Sequence, residues 1–189
     1  MWLFLGTEVM FFGGMFLGYC VYRLAYPASF AEASRQLDIV LGGINTAILL
    51  TSSLTMAMAV HSAQQGRTRR LVGFLILTTV LGMTFLGIKS FEYYQKFEEQ
   101  FVPGRHFVFH SATPGHAELF FSFYFAMTGM HALHMIIGIV LMVVLMVRAL
   151  RGRFSREYYA PVDMTGLYWH FVDIVWVFLF PLLYLVDRS

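Results

Sequence analysis

Five long apolar runs divide this chain, and they constrain its fold more than any other feature. The runs lie at about residues 1–25, 39–59, 71–91, 118–147 and 162–186. A helix needs about 20 mostly apolar residues to cross a bilayer, where water cannot satisfy the backbone polar groups. No polar stretch between the runs is long enough to fold alone. We therefore expect residues 1–189 to form a single transmembrane domain, an all-α integral membrane bundle of five transmembrane helices.

The composition supports a membrane protein and excludes other classes. Hydrophobic residues make up 58% of the chain and charged residues 13%, whereas a soluble chain carries about 25% charged residues. The net charge of +2 is small and the basic residues are scattered among loops, so the sequence does not indicate nucleic-acid binding. The single cysteine, Cys20, excludes a disulfide framework and is typical of a small buried hydrophobe.

The loop charges predict the orientation of the bundle. With five helices, the second and fourth connections share a side with the N-terminus. These two connections carry seven arginines: Arg67, Arg69, Arg70, Arg148, Arg151, Arg153 and Arg156. Short cytoplasmic loops carry the excess of lysine and arginine. The N-terminus is therefore predicted to be cytoplasmic and the C-terminus outside.

Glu8 lies within the first apolar run. A carboxylate there must be paired, hydrated by a cavity or kept neutral, because an isolated charge in hydrocarbon is costly. One interpretation is a proton-linked or lipid-headgroup site. The other is a structural hydrogen bond to a Thr, Ser or His on a neighbouring helix.

His131 and His134 interrupt the fourth run. Residues three apart project from nearly the same face of a helix, so the pair could bind haem or a metal, relay protons or join two helices. Haem ligation from two helices would need His170, which lies about 10 Å from the cytoplasmic helix end while His134 lies about 20 Å from it. A catalytic zinc would need three convergent ligands, and no such spacing is present. We predict no metal site and a packing role for both histidines.

His170 and Asp173 are also three residues apart, on the fifth run. An antiparallel arrangement places them at a depth comparable with that of Glu8. We therefore hypothesise that Glu8 has its polar partner on this helix, and we expect a polar packing role for both His170 and Asp173.

Other polar residues of the runs are expected to join helices. Lys89 and Glu92 form an i, i+3 pair at the outer end of the third run, where a lysine extending to the interface beside its counter-ion is ordinary. Asn45 and Thr46 lie among serines and threonines, as is typical of contacts between membrane helices. The connection at about residues 92–115 is aromatic, which is typical of interface anchors.

Motifs in all five runs together resemble subunit III of the haem–copper respiratory oxidases, the cytochrome c oxidases and the related quinol oxidases. In chain order they are T-E-V-M-F-F from Thr7, N-T-x-x-L-L-x-S-S from Asn45, K-x-x-E-Y from Lys89, T-G-x-H-x-x-H from Thr128 and Y-W-H-F-V-D-x-V-W from Tyr168. The resemblance implies the five-helix bacterial form, because seven-helix members have two more helices before the one with the glutamate.

The resemblance also implies a function. Such a subunit has no catalytic residue, haem or copper of its own, and packs against catalytic subunit I and other subunits of a respiratory complex in the bacterial cytoplasmic membrane. The family is credited with supporting the stability and proton uptake of the catalytic subunit and with holding structural phospholipid. Glu8 falls on the family's intramembrane glutamate. Haem and copper are then expected in the partner subunits.

Three other functions stay open from the residues alone. A subunit III-like protein that accompanies a nitric oxide reductase would carry similar motifs. A free-standing b-type cytochrome would use His131 or His134 as a haem ligand. A small proton-coupled transporter is disfavoured because the sequence shows neither broken helices nor an internal repeat.

Overall fold

The computed structural model describes residues 2–104, 114–154 and 158–185. Six helices lie in these ranges: α1 Trp2–Ala25, α2 Pro27–Ser34, α3 Ile39–Gln64, α4 Thr68–Glu98, α5 Pro114–Leu150 and α6 Ala160–Tyr184. Five of them, all but α2, are long and apolar enough to cross a membrane. The predicted all-α membrane bundle is confirmed.

Several helices extend beyond the apolar runs. Helix α4 was expected to end near residue 91 but continues to Glu98, because the polar residues that follow the run are good helix formers. Its last turn is held in place by Lys96, whose Nζ bonds the Gln36 carbonyl at 2.8 Å and the Glu99 carboxylate at 2.6 Å. Part of the predicted loop at 92–115 is therefore helix. Its aromatic residues at 105–113 lie outside the described residues.

Helix α2 was not predicted. It begins at Pro27, which suits a first helical position because proline fixes φ and lacks an N–H. The Phe30 ring packs on Phe120 of α5 with 5.6 Å between ring centroids. The Ser34 hydroxyl donates to the Leu183 carbonyl of α6 at 2.8 Å. Side-chain contacts rather than length therefore fix this short segment.

Helices α3, α4, α5 and α6 pack in a ring, each beside the next, and α3 closes the ring against α6. Helix α1 lies outside this ring against α5 and α6. Its outer side chains are the most exposed apolar ones, with Leu3 at 85% and Leu24 at 83%. In a membrane such a face meets lipid or another subunit.

Two tryptophans of α6 fill the centre of the ring. The Trp169 indole N–H donates to the Ser52 hydroxyl of α3 at 2.7 Å. Its ring lies so close to Gly82 of α4 and Gly138 of α5 that an added Cβ would lie 2.8 Å and 2.7 Å from ring carbons, respectively. Trp169 thus fixes the positions of three neighbouring helices, and both glycines are needed for that close approach.

We predict that Gly138→Ala lowers the free energy of unfolding by about 1–3 kcal/mol, because the new methyl overpacks against the buried indole. The measurement is reversible unfolding in mixed detergent micelles. Gly87→Ala is the matched control, since nothing lies within 4 Å of its added Cβ. It is expected to leave stability unchanged or raise it by up to about 1 kcal/mol through helix propensity. Equal stability of Gly138→Ala and wild type would contradict the fixing role of Trp169.

Candidate functional site

Glu8 of α1 pairs with His134 of α5. The distance from Glu8 Oε2 to His134 Nε2 is 3.1 Å, and the two side chains are 18% and 10% exposed. The other ring nitrogen, Nδ1, lies 2.8 Å from the Met130 carbonyl. A carbonyl oxygen can only accept, so Nδ1 carries a proton. The contact between Nε2 and the carboxylate is a hydrogen bond when a proton lies between the two atoms.

The pair lies on the wall of an open groove of about 570 Å³ between α1, α5 and α6. The other lining residues are mainly apolar: Phe4, Leu133, Ile137, Leu141, Thr165 and Tyr168. Glu8 is thus close to whatever fills the groove. An apolar groove with one polar pair on its wall suits an acyl chain.

The hypothesis that Glu8 pairs with a residue of α6 is wrong. Its partner is His134, one of the two histidines that were assigned to packing. His170 instead bonds the Ser53 hydroxyl of α3, with 2.7 Å between Ser53 Oγ and His170 Nδ1. Glu8 does not reach His170 or Asp173 because of the rotation of α6 about its own axis. The face of α6 that bears His170 and Asp173 turns toward α3, and depth alone could not show this.

Three arginines form a second cavity at the end of α5. Arg148, Arg151 and Arg153 line a space of about 440 Å³ together with Phe154 and Tyr158. Arg148 comes seven residues after Leu141 and so lies about 10 Å further along the same helix face. The groove and this basic cavity therefore follow one another along α5. Sequence reasoning had used these arginines only to predict orientation.

Lys89 and Glu92 are buried, with side-chain exposures of 6% and 1%, and their charged atoms are 2.9 Å apart. The lysine Nζ donates to the Tyr184 hydroxyl at 2.6 Å, and the Tyr124 hydroxyl donates to Glu92 at 3.0 Å. Nζ also lies 4.8 Å from the centre of the Trp176 ring, within reach of a cation–π interaction. The lysine was expected to extend out of the protein and does not, because α4 continues past its apolar run and the pair is enclosed between α5 and α6.

Tyr124 and Tyr184 were missed by sequence reasoning. The available signal was that each phenol lies in an apolar run, where its hydroxyl needs a partner inside the protein. A buried lysine and glutamate in the neighbouring run are the natural partners.

His131 points to the interior of the ring, away from His134. Its Nε2 lies 3.1 Å from the Val172 carbonyl, so that nitrogen carries the proton. Its imidazole packs against Phe85 and Trp176, with 5.4 Å and 5.2 Å between ring centroids. Among the described residues, no three His, Cys, Asp or Glu side chains are placed to hold a metal ion.

Thr46, Asn45 and Asp173 also lie in or beside the ring interior. The Thr46 hydroxyl accepts the Trp176 indole N–H at 3.1 Å. The amide of Asn45, the carboxylate of Asp173 and Nδ1 of His131 are buried and have no hydrogen-bond partner in the described part of the chain. The packing role given to all these residues stays a prediction.

Comparison with known proteins decides the family. The family model described as cytochrome c oxidase subunit III matches residues 1–187. The chain belongs to the cytochrome c oxidase subunit III family. It is 32% identical over 185 residues to the cytochrome c oxidase subunit 3 of Synechocystis sp., which covers 97% of this chain and 73% of that protein.

Other members of the oxidase subunit III family are equally similar. The probable cytochrome c oxidase subunit 3 of Nocardia farcinica is 32% identical over 184 residues, which covers 97% of this chain and 85% of the relative. The cytochrome c oxidase subunit 3 of Cyprinus carpio is 32% identical over 190 residues, or 96% of this chain and 66% of the fish protein. Membership implies a place within a multi-subunit respiratory oxidase complex and a role in electron transport.

We predict that Glu92→Leu lowers the free energy of unfolding by about 3–5 kcal/mol, because it leaves the Lys89 ammonium buried without its counter-ion. Adding Lys89→Met should restore most of the loss, since an apolar pair of similar volume replaces the buried charges. Reversible unfolding of the single and double variants measures both effects.

The control for this pair is Glu99→Gln. Glu99 also pairs with a lysine three residues earlier, but its side chain is 47% exposed. Such an exposed pair contributes about 0–1 kcal/mol to the free energy of unfolding. If the double variant were as unstable as Glu92→Leu, the loss would not come from an uncompensated charge.

Proposed function

We propose that this chain is a non-catalytic subunit III of a bacterial haem–copper terminal oxidase of the cytochrome c oxidase type. It packs against catalytic subunit I in the cytoplasmic membrane, with its N-terminus on the cytoplasmic side, and the haem and copper belong to the partner subunits. Family membership and the five apolar helices support this proposal. Within the complex, the chain supports the stability and proton uptake of the catalytic subunit and binds phospholipid.

The observation that carries the proposal is the Glu8–His134 pair in the wall of an open, mainly apolar groove. A carboxylate that shares a proton with an imidazole at the protein surface can exchange that proton with water or a lipid headgroup. The same pair ties α1 to α5. Loss of the pair would therefore affect both proton exchange and the attachment of α1.

The groove and the basic cavity together suit a phospholipid. An acyl chain fits the apolar groove, and the phosphate is attracted to Arg148, Arg151 and Arg153 at the end of α5. Basic pockets beside transmembrane helices commonly bind anionic lipid headgroups on the cytoplasmic side. This placement agrees with the orientation that the loop charges predict.

A b-type cytochrome is disfavoured by the contacts of the two histidines. Both ring nitrogens of His134 are engaged, by Glu8 and by the Met130 carbonyl. The Nε2 of His131 is engaged by the Val172 carbonyl, and its ring is enclosed by aromatic side chains. An accessory role beside a nitric oxide reductase is disfavoured because the relatives described above are named as cytochrome c oxidase subunits.

We predict that Glu8→Gln leaves the haem content of the purified complex unchanged, because the residue belongs to an accessory chain. Proton uptake should slow, or activity should be lost after several-fold fewer turnovers, because an amide cannot share the proton that a carboxylate shares with His134. Haem absorbance, oxygen consumption and proton-uptake kinetics of the complex measure these effects.

Glu32→Gln is the control for Glu8→Gln, since Glu32 is an exposed carboxylate on α2. It should behave as wild type in all three measurements. Loss of the haem signal in an assembled Glu8→Gln complex would contradict the accessory role.

The double variant Arg148→Gln/Arg151→Gln is predicted to retain less anionic phospholipid. Each basic residue near the membrane surface contributes about 1 kcal/mol, so two should weaken binding by about 30-fold. Mass spectrometry of lipids that co-purify with the complex measures the loss. The control is Arg67→Gln/Arg69→Gln, which changes two exposed arginines at the start of α4. Equal lipid retention in both double variants would contradict the assignment of the cavity.

A further inference from the structure

Asp173 is a buried carboxylate without a partner. Its exposure is 3%, and neither carboxylate oxygen has a hydrogen-bond partner among residues 2–104, 114–154 and 158–185. It lies 13 residues after the start of α6, about 20 Å into the helix. An ionised and unpaired carboxylate at that depth would cost several kcal/mol, so such a group is paired, hydrated or neutral.

The charged and titratable groups on the surrounding helices have hydrogen-bond or ion-pair partners other than Asp173. On α5, His131 donates to the Val172 carbonyl, and His134 is paired with Glu8 of α1. On α4, Lys89 is paired with Glu92. Helix α3 contributes the neutral Ser53 beside Asp173. No cation of the described residues forms an ion pair with this carboxylate, so its charge must be offset by a bound proton or by water.

Ser53 connects Asp173 to His170. The Ser53 hydroxyl lies 2.7 Å from Nδ1 of His170 and is near the Asp173 carboxylate, without a hydrogen bond to it. A hydroxyl can accept one proton and donate another, and imidazole can do the same through its two nitrogens. A rotation of the Ser53 hydroxyl or the Asp173 carboxylate that joins the two would complete a series of groups able to pass a proton between α6 and α3.

A crevice of about 210 Å³ reaches His170. It runs between the C-terminal part of α3 and the first eleven residues of α6, where His61, Gln64 and Asp163 line it together with His170. Because a water occupies about 30 Å³, the crevice has room for several waters. His61 and Gln64 are exposed, so the crevice begins at the protein surface.

We propose that Asp173 is an internal proton-binding site that is loaded from this crevice through His170 and Ser53. An excess proton carried by water in the crevice as hydronium passes to Nε2 of His170 and leaves neutral water behind, while the Nδ1 proton of His170 passes to Ser53 Oγ. The Ser53 hydroxyl gives its own proton to a carboxylate oxygen of Asp173. One proton has entered and one has reached Asp173, while His170 is neutral again with its proton on Nε2. The site is separate from Glu8 and does not depend on the proposed function.

The test is infrared spectroscopy of the purified full-length chain in lipid nanodiscs, with its aspartate carboxyls labelled with carbon-13. Wild type should show the C=O band of a protonated aspartate, and Asp173→Asn should lose it. Transfer into heavy water should shift this band. The shift should be roughly 100-fold slower in Ser53→Ala and His170→Phe, the lower end of what a positioned proton-transfer group contributes.

Asp163→Asn is the matched control, because Asp163 lies on the same helix at the mouth of the crevice. It should leave the band in place. Circular dichroism confirms that each variant is folded, and Ser53→Ala tests the pathway even if Asp173→Asn does not fold. Absence of the band in wild type, its persistence in folded Asp173→Asn, or unchanged exchange in Ser53→Ala and His170→Phe would overturn the proposal. Failure of the Glu8 experiments would leave this result unaffected.

Discussion

Helix α6 holds the bundle together because its side chains and carbonyl groups hydrogen-bond to every other helix. Its bond to α4 runs from the Lys89 ammonium to the Tyr184 hydroxyl. Inside a bilayer every polar group must find its partner within the protein, so these bonds determine where each neighbour lies. The bonds to the other four helices include Trp169 to Ser52, Trp176 to Thr46, Tyr168 to the His134 carbonyl, His131 to the Val172 carbonyl, Tyr19 to the Leu182 carbonyl and Ser34 to the Leu183 carbonyl. Helix α1 makes fewer hydrogen bonds to its neighbours, and the apolar side chains of its outer face are exposed.

This difference separates the structural polar residues from the candidate functional ones. The Lys89–Glu92 cluster has a partner for each charge and is enclosed, which is typical of a group that fixes helix positions. The Glu8–His134 pair joins the least buried helix to α5 and faces an open groove. Proton exchange and lipid binding need access, and only the second arrangement provides it.

Much of the fold could be predicted from the sequence because a bilayer fixes both the length and the apolarity of a spanning helix. The pairing of Lys89 with Glu92 followed equally from helical spacing. The burial of that pair did not, since it depends on α4 continuing past its apolar run. The partner of Glu8 could not be predicted either, because depth is readable from sequence while the rotation of α6 is set by packing. Helix α2 was missed because its few buried side chains carry no spanning signal.

The central claim is that this chain is an accessory subunit whose redox groups lie in its partners. The most direct test is affinity purification of the tagged chain from native membranes, with absorbance spectra recorded before and after the subunits are separated. We expect a haem Soret band in the intact complex and none in the separated, folded chain. A Soret band that stays with the chain, or purification of the chain without any haem-containing subunit, would contradict the account.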